Sequence, residues 1–182
     1  MLDTLTPIKQ LASNPTLARW NDLDAETAAH EILPCCGSSA WAGGMAERRP
    51  FASAEEMYEA SDWVWAGLPE EAWREAFDSH PRIGQQHARA ATAESLAWSS
   101  EEQGAAAAQE DETKLALSEA NRQYEEKFGR IFIVCASGRS AAEILAICRE
   151  RMKNTAADEM LEAAEQQRQI TQLRLRKWLG VS

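Results

Sequence analysis

Only one stretch of this sequence has the composition of a β-strand, and that fact limits the fold more than any other feature. Residues 131–135 read Ile-Phe-Ile-Val-Cys, a short apolar run rich in β-branched residues. A strand needs a partner for its backbone N–H and C=O groups, and no second strand pattern is present in the 182 residues. An extended segment that crosses the core is therefore favoured over a sheet. The sequence predicts one all-α domain over residues 1–182, a multi-helix bundle with this single extended apolar segment.

Helix boundary signals recur along the rest of the chain. Ser53, Ser99 and Ser140 each precede a glutamate by three residues, which is the form of a capping box. Gly67 and Gly180 follow stretches with helical periodicity and predict where those helices end. A proline at position 34 is expected to interrupt the second predicted helix.

Charge and hydropathy exclude several classes of partner. The formal net charge is −10 and no basic stripe is present, so nucleic acid and anionic membrane surfaces are disfavoured. An anionic small molecule could bind only where local Arg or Lys overrides this field. No apolar run reaches 18 residues, and residues 1–4 lack the features of a signal peptide. A cytoplasmic protein is expected.

The four cysteines are predicted to be thiols of the core. They form no C-x-x-C pair, and a reducing compartment keeps such thiols free. The three histidines do not supply the ligand spacing of a zinc site, so no metal is predicted.

The sequence around His80 places an imidazole at a rigid corner. A helix is predicted over residues 69–80, in which Trp73, Phe77 and His80 share one face. Pro81 cannot continue that helix and biases His80 out of helical geometry. The pattern fits a capping histidine at the end of a core helix. It also fits an imidazole that is aimed inward for chemistry.

Arg174 lies in an otherwise largely apolar stripe of the last predicted helix, over residues 155–179. An inward guanidinium must be paired within the protein or must bind an anion, and the sequence leaves both possibilities open. The residues that share its side of the helix are Met160, Ala163, Gln167, Ile170 and Trp178.

Several blocks of sequence, in order, resemble the OHCU decarboxylase family over roughly residues 5–179. Enzymes of that family act on 2-oxo-4-hydroxy-4-carboxy-5-ureidoimidazoline (OHCU), the last intermediate between urate and allantoin. The blocks are Cys35-Cys36-Gly37-Ser38, Arg49-Pro50-Phe51, His80-Pro81-Arg82-Ile83-Gly84, Ser99-x-x-Glu102-Gln103, Phe128-Gly129-x-x-Phe132-Ile133-Val134-Cys135-Ala136, Gly138-Arg139-Ser140-Ala141-Ala142-Glu143 and Leu173-Arg174-Leu175.

The resemblance implies an all-helical fold, a homodimer, and decarboxylation of a small-molecule substrate to (S)-allantoin and CO2. It also implies that neither a metal nor an organic cofactor takes part. The substrate carries its carboxylate next to an imine carbon, so the electrons that CO2 leaves behind already have a sink. Positioning, acid–base work and a protected protonation then remain for the protein.

Carried over by position, the resemblance makes His80 the catalytic acid or base, held by the corner at Pro81. A histidine with a pKa near neutrality is suited to shuttling a proton to or from the hydroxyl or ring of the substrate. Glu102 becomes its partner near the scissile carboxylate. It would either orient the imidazole or disfavour the anionic ground state by like-charge proximity, and the sequence leaves both open.

The remaining implied roles concern substrate binding. Ser99 and Gln103 would hydrogen-bond the substrate, and Arg174 would supply positive charge. Without the resemblance, a helix cap explains Ser99 and Glu102, an internal salt bridge explains Arg174, and a plain core explains residues 132–135. The residues whose main chain would hold the ureido and ring amides are Phe132, Ile133, Val134, Cys135 and Ala136.

Two departures from the family pattern stand out. Pro34 precedes the double cysteine where a helix-forming residue is expected, and Arg130 and Ile131 stand where apolar residues and proline are common. Two other functions remain possible from the sequence. One is a non-catalytic helical binding protein that keeps this fold, and the other is a different small-ring hydrolase or lyase that uses the same pocket.

Overall fold

The computed structural model describes residues 14–81 and 111–181, without the side chains of residues 111 and 112. Within these ranges all regular structure is helical and no strand occurs, which confirms the all-α prediction. The extent of a single domain over all 182 residues stays a prediction. The helices are α1 (Pro15–Asn21), α2 (Ala25–Cys36), α3 (Ser39–Glu47), α4 (Ala54–Ala66), α5 (Glu70–Asp78), α6 (Asp111–Phe128), α7 (Ala141–Arg151) and α8 (Ala156–Leu179).

The predicted capping signals hold to different degrees. At the start of α7 the Ser140 hydroxyl accepts the Glu143 N–H at 3.3 Å, and the Glu143 carboxylate accepts the Ser140 N–H at 2.7 Å. This is the complete capping box. At α4 the Ser53 hydroxyl accepts the Glu56 N–H, but the Glu56 carboxylate turns to the N–H of Ala52 instead. The box predicted at Ser99 lies outside the described residues.

Helix α2 continues through Pro34, and the prediction that this proline interrupts the helix was wrong. Pro34 sits in the last turn of α2, where its missing N–H removes only one helical hydrogen bond. The next residues, Cys35 and Cys36, are fully buried, so packing favours completing the turn. Gly37 then ends the helix with φ +85° and donates its N–H to the Leu33 carbonyl at 2.7 Å.

The buried apolar side chains form two clusters, and the extended segment runs between them. The larger cluster is built mainly from α1 to α5 and α8, and the smaller one from α6 and α7. Ile133 and Cys135 pack in the larger cluster, whereas Phe132, Val134 and Ala136 pack in the smaller one. Side chains of an extended chain point alternately to opposite sides, so a segment buried on both sides reads as a continuous apolar run. The predicted segment that crosses the core is confirmed.

The cysteines and the last helix also match their predictions. All four cysteines are buried, and none of them forms a disulfide. Helix α8 ends at Leu179, and Gly180 follows with φ +68°. Within the described ranges, no helix combines the length and the apolar character that crossing a membrane requires.

Candidate active site

His80 lies just beyond the end of α5, not within the helix as predicted. The helix ends at Asp78 with Ser79 as its cap, and the N–H of His80 still donates to the Phe77 carbonyl at 3.1 Å. The residue is only 9% exposed, and Pro81 after it is buried as well. The corner predicted from the His-Pro pair is therefore present, with the imidazole facing the interior.

A tight contact with the turn between α2 and α3 fixes this corner. A Cβ atom on Gly37 would lie 2.1 Å from the Ser79 hydroxyl oxygen and 2.5 Å from the Ser79 Cβ, so only glycine fits there. One turn earlier, the Glu75 carboxylate accepts hydrogen bonds from the Ser39 N–H at 3.1 Å and the Ser39 hydroxyl at 2.6 Å. The Cys-Cys-Gly-Ser block thus positions the residue next to His80.

The imidazole of His80 is neutral in this environment. Burial is the main cause that lowers its pKa to about 3, and the positive charge of Arg174 lowers it further. The nearby Gln167 side chain opposes this shift in part. The buried Nε2 atom of His80 has no hydrogen-bond partner among the described residues. A neutral ring with an open nitrogen is able to exchange a proton with a bound molecule.

Gln167 of α8 is a polar neighbour of His80. Its Nε2 donates to the Cys36 carbonyl at 3.2 Å and to the Thr171 hydroxyl at 3.3 Å. Its carbonyl oxygen Oε1 is buried without a hydrogen-bond partner among the described residues. Among the described residues, neither this acceptor nor Nε2 of His80 makes a regular hydrogen bond, and the two groups are close enough for polar contact with Gln167 to raise the pKa of His80. Such a pair of polar atoms is expected where a polar ligand binds.

Arg174 lies on the buried face of α8, as predicted from the stripe. Its side chain is fully buried, and Nη1 donates to the Pro34 carbonyl at 3.3 Å. Its charge acts on both His80 and Cys36, which places the guanidinium close to the corner. Burial raises the pKa of the Cys36 thiol to about 12, so this cysteine is a neutral core group.

Helices α7 and α8 hold the extended segment by its main chain. Arg151 donates from Nη1 to the Ile133 carbonyl at 2.7 Å, and Gln166 accepts the Cys135 N–H through Oε1 at 2.9 Å. Arg151 is itself fixed by the buried Glu159, to which Nε donates at 2.9 Å and Nη2 at 2.6 Å. No hydrogen bond from a described residue reaches the main chain of Val134 between these two anchors. The segment is thus anchored at two points, and between them the main-chain groups of Val134 have no partner among the described residues.

Some of the predicted site residues fall in the described ranges and others do not. His80, Pro81, Arg174 and residues 132–136 are described, and the charge of Arg174 lowers the pKa of His80. Ser99, Glu102 and Gln103 lie outside the described residues. Every role that was assigned to these side chains stays a prediction.

Sequence reasoning did not assign a role to Gln167, Gly37, Arg151 or Glu159. For Gln167 the signal was available, because an amide in an apolar stripe needs polar partners. The pairing of Arg151 with Glu159 joins two helices, and no local pattern indicates it. Among the described residues, no group of three or more His, Cys, Asp and Glu side chains is placed to hold a metal ion.

Comparison with known proteins decides the family. The sequence model of the OHCU decarboxylase family matches residues 21–176. The chain belongs to the OHCU decarboxylase family. Its similarity to the Arabidopsis thaliana uric acid degradation bifunctional protein TTL is 40% identity over 153 residues, 84% of this chain and 47% of that protein. The chain therefore spans about half the length of that relative. The 2-oxo-4-hydroxy-4-carboxy-5-ureidoimidazoline decarboxylase of Amia calva is 29% identical over 147 residues, 80% of each chain.

Solved structures agree with this family membership. A crystal structure of OHCU decarboxylase in the presence of (S)-allantoin matches with a TM-score of 0.71 and 35% identity, covering 82% of this chain and 97% of that one. A crystal structure of (S)-allantoin synthase matches with a TM-score of 0.66 at 14% identity, covering 91% of this chain and 53% of that one. The second likeness concerns the fold alone.

Proposed function

We propose that this chain decarboxylates OHCU to (S)-allantoin and CO2, with His80 as the acid–base group and without a cofactor. The observation that carries the proposal is the buried, neutral His80 ring, whose open Nε2 lies in the field of the Arg174 guanidinium. Family membership supports the reaction, as does the similarity to an OHCU decarboxylase crystallised in the presence of (S)-allantoin.

The electrostatics of the site suit an anionic substrate. The protein carries a net charge of −10, yet the only charge found to act on the His80 ring among the described residues is the positive charge of Arg174. A bound carboxylate would offset that charge and raise the pKa of His80 from its low value in the free protein. Substrate binding would thereby prepare the ring to hold a proton, and the free enzyme would keep it neutral.

The reaction needs few groups because the substrate supplies its own electron sink. Cleavage of the carbon–carbon bond releases CO2, and the bonding electron pair passes into the adjacent imine. The hydroxyl proton must then leave, and protons must reach both the imine nitrogen and the former imine carbon, so that one proton is taken up overall. His80 would exchange one of these protons through Nε2. Delivery to a single face of that carbon would fix the configuration of allantoin.

The other predicted roles complete the proposal. Glu102 would act next to His80, and Ser99 and Gln103 would hydrogen-bond the substrate. The main chain of residues 132–136 would bind the ureido and ring amides, and the main-chain groups of Val134, which have no hydrogen-bond partner among the described residues, support this role. A homodimer and a cytoplasmic location are also proposed, from the resemblance and from the sequence.

The test is to generate OHCU from urate in the cuvette and to follow allantoin by circular dichroism. Wild-type protein should form one enantiomer faster than the spontaneous reaction. His80→Ala should keep its helical content and fall to the spontaneous, racemic rate. His30→Ala removes an exposed histidine and is the matched control, with full activity expected. Full activity of His80→Ala would refute the assigned role.

The same assay separates the alternative functions. A non-catalytic binding protein would bind allantoin but leave the rate of OHCU loss unchanged. A different hydrolase or lyase would consume another ring substrate and leave OHCU to decay on its own. Either result would contradict the proposed reaction.

A further inference from the structure

Arg130 is a buried guanidinium with an unused hydrogen-bonding edge. The residue is 8% exposed, and its Nε and Nη2 atoms are buried with no hydrogen-bond partner among the described residues. Its Cζ lies 5.6 Å from the ring centroid of Phe128 and 6.0 Å from that of Phe77. Arginine stays charged at any ordinary pH, and an enclosed charge without a counter-ion is costly. Such a group is expected to have a partner in the working protein.

The two open nitrogens are a pair that several arginines of this protein use to bind carboxylates. Nε–H and Nη2–H point in parallel from one edge of the guanidinium and match the two lone-pair directions of a carboxylate group. Four other arginines direct this same pair of nitrogens to one glutamate side chain each. The pairs are Arg74 with Glu70, Arg122 with Glu119, Arg151 with Glu159 and Arg168 with Glu165.

The unpaired edge of the Arg130 guanidinium lies next to the candidate active site. Arg130 directly precedes the extended segment, whose main chain is proposed to bind substrate. Its guanidinium lies beside Phe77, whose carbonyl accepts the N–H of His80.

We propose that Arg130 is a carboxylate-binding residue, which takes the carboxylate of an anionic ligand through Nε and Nη2. Identifying that carboxylate as the one on OHCU rests on the proposed function. Arg174 acts on His80, and Arg130 provides a second, separate cation that holds the substrate by its acidic group. Allantoin has lost this group, so the product forms no such pair and is released more readily.

The direct test compares two ring compounds that differ by a carboxymethyl group and therefore by one negative charge. Hydantoin and hydantoin-5-acetate are titrated by calorimetry into wild type, Arg130→Met and Arg122→Met. Wild type should bind hydantoin-5-acetate about 10- to 100-fold more tightly than hydantoin, since a bidentate charged pair contributes that much. Arg130→Met should lose the difference but bind hydantoin as before. Arg122→Met removes an exposed arginine that is already paired and should behave as wild type.

A second readout is the thermal stability of the protein without ligand. Methionine in place of Arg130 puts an apolar chain between two phenylalanine rings, so the melting temperature of Arg130→Met should rise. A lower melting temperature together with unchanged preference for hydantoin-5-acetate would overturn the proposal. That result would mean that a carboxylate of the chain itself holds the guanidinium.

The kinetics of OHCU decarboxylation distinguish a failure of the carboxylate site from a failure of the proposed function. With OHCU as substrate, Arg130→Met should raise KM and leave kcat unreduced, because the pair is lost when CO2 departs. If wild type fails to decarboxylate OHCU but prefers hydantoin-5-acetate through Arg130, the reaction is wrong and the carboxylate site stands. If turnover is normal and KM does not depend on Arg130, the carboxylate site is wrong and the reaction stands.

Discussion

The two clusters on either side of the extended segment are stabilised in different ways. In the larger cluster the Arg174 guanidinium donates to the Pro34 carbonyl, and the other buried polar contacts join neutral groups, as when the Trp20 indole donates to the Ala28 carbonyl at 2.9 Å. At the smaller cluster, fully buried Glu159 accepts hydrogen bonds from Arg151, Asn154 and the Tyr124 hydroxyl. Apolar packing tolerates small adjustments, whereas a buried charge depends on every partner. The side that fixes the substrate-binding segment is therefore the more fragile one.

The largest effect should come from removing the central charge of the smaller cluster. Glu159→Ala leaves Arg151 buried without its counter-ion, and the free energy of unfolding should fall by about 3–5 kcal/mol. Urea unfolding measures this change. Glu165→Ala is the control on the same helix, because its half-buried pair with Arg168 should contribute less than about 1 kcal/mol. Equal losses in both variants would contradict the special dependence of the smaller cluster on its buried charge.

The next largest effect concerns the corner on the side of the larger cluster. In Gly37→Ala, the alanine must adopt a left-handed backbone conformation, and its Cβ atom clashes with the Ser79 side chain. The free energy of unfolding should therefore fall by about 2–4 kcal/mol. Decarboxylation should fall with it, because Ser79 precedes His80. Gly43→Ala is the control, since nothing lies within 4 Å of a Cβ atom at that helical position. That variant should be stabilised by about 0.5–1 kcal/mol, and a loss there would undermine the explanation.

A smaller effect follows from the protonation of His80. Its pKa is about 3 in the folded protein and about 6.5 when unfolded, so the unfolded chain binds the extra proton between these values. Stability is then complete above about pH 6.5 and decreases as the pH falls toward 3. The loss between about pH 7 and pH 5 should reach about 1–2 kcal/mol. His80→Gln should reduce this slope, and an unchanged slope would mean that other groups cause it.

The smallest effect is expected at the start of α7, whose buried apolar side chains belong to the smaller cluster. Ser140→Ala removes one half of the capping box and should lower the free energy of unfolding by about 1 kcal/mol. Chemical unfolding of Ser137→Ala, at an exposed position outside any helix, should give the wild-type value. A loss of several kcal/mol at Ser140 would indicate a role beyond capping.

Local patterns predicted what depends on near neighbours in the chain. The capping box at Ser140, the end of the last helix at Gly180 and the buried stripe around Arg174 all follow from residue spacing. Pro34 was predicted wrongly because burial of the two following cysteines outweighs the local preference of proline. Tertiary packing commonly overrides propensity in this way.

The sequence predicted the chemical groups of the candidate site but not the contacts that hold them in place. His80 and Arg174 carry recognisable signals, a proline corner and a charge in an apolar stripe. The contact of Gly37 with Ser79 joins residues that lie far apart in the sequence, and spacing gives no indication of such pairs. Arg130 was noticed as a departure from the family pattern, but its open edge appears only in three dimensions.

The extended segment sends successive side chains into different clusters, and this has a consequence for evolution of the chain. A conservative replacement such as Ile133→Val disturbs one cluster. Deleting or inserting one residue would shift the register and exchange every side chain between the clusters, so that Phe132 would enter the space of a smaller neighbour. The segment should therefore accept point substitutions but reject any change in its length.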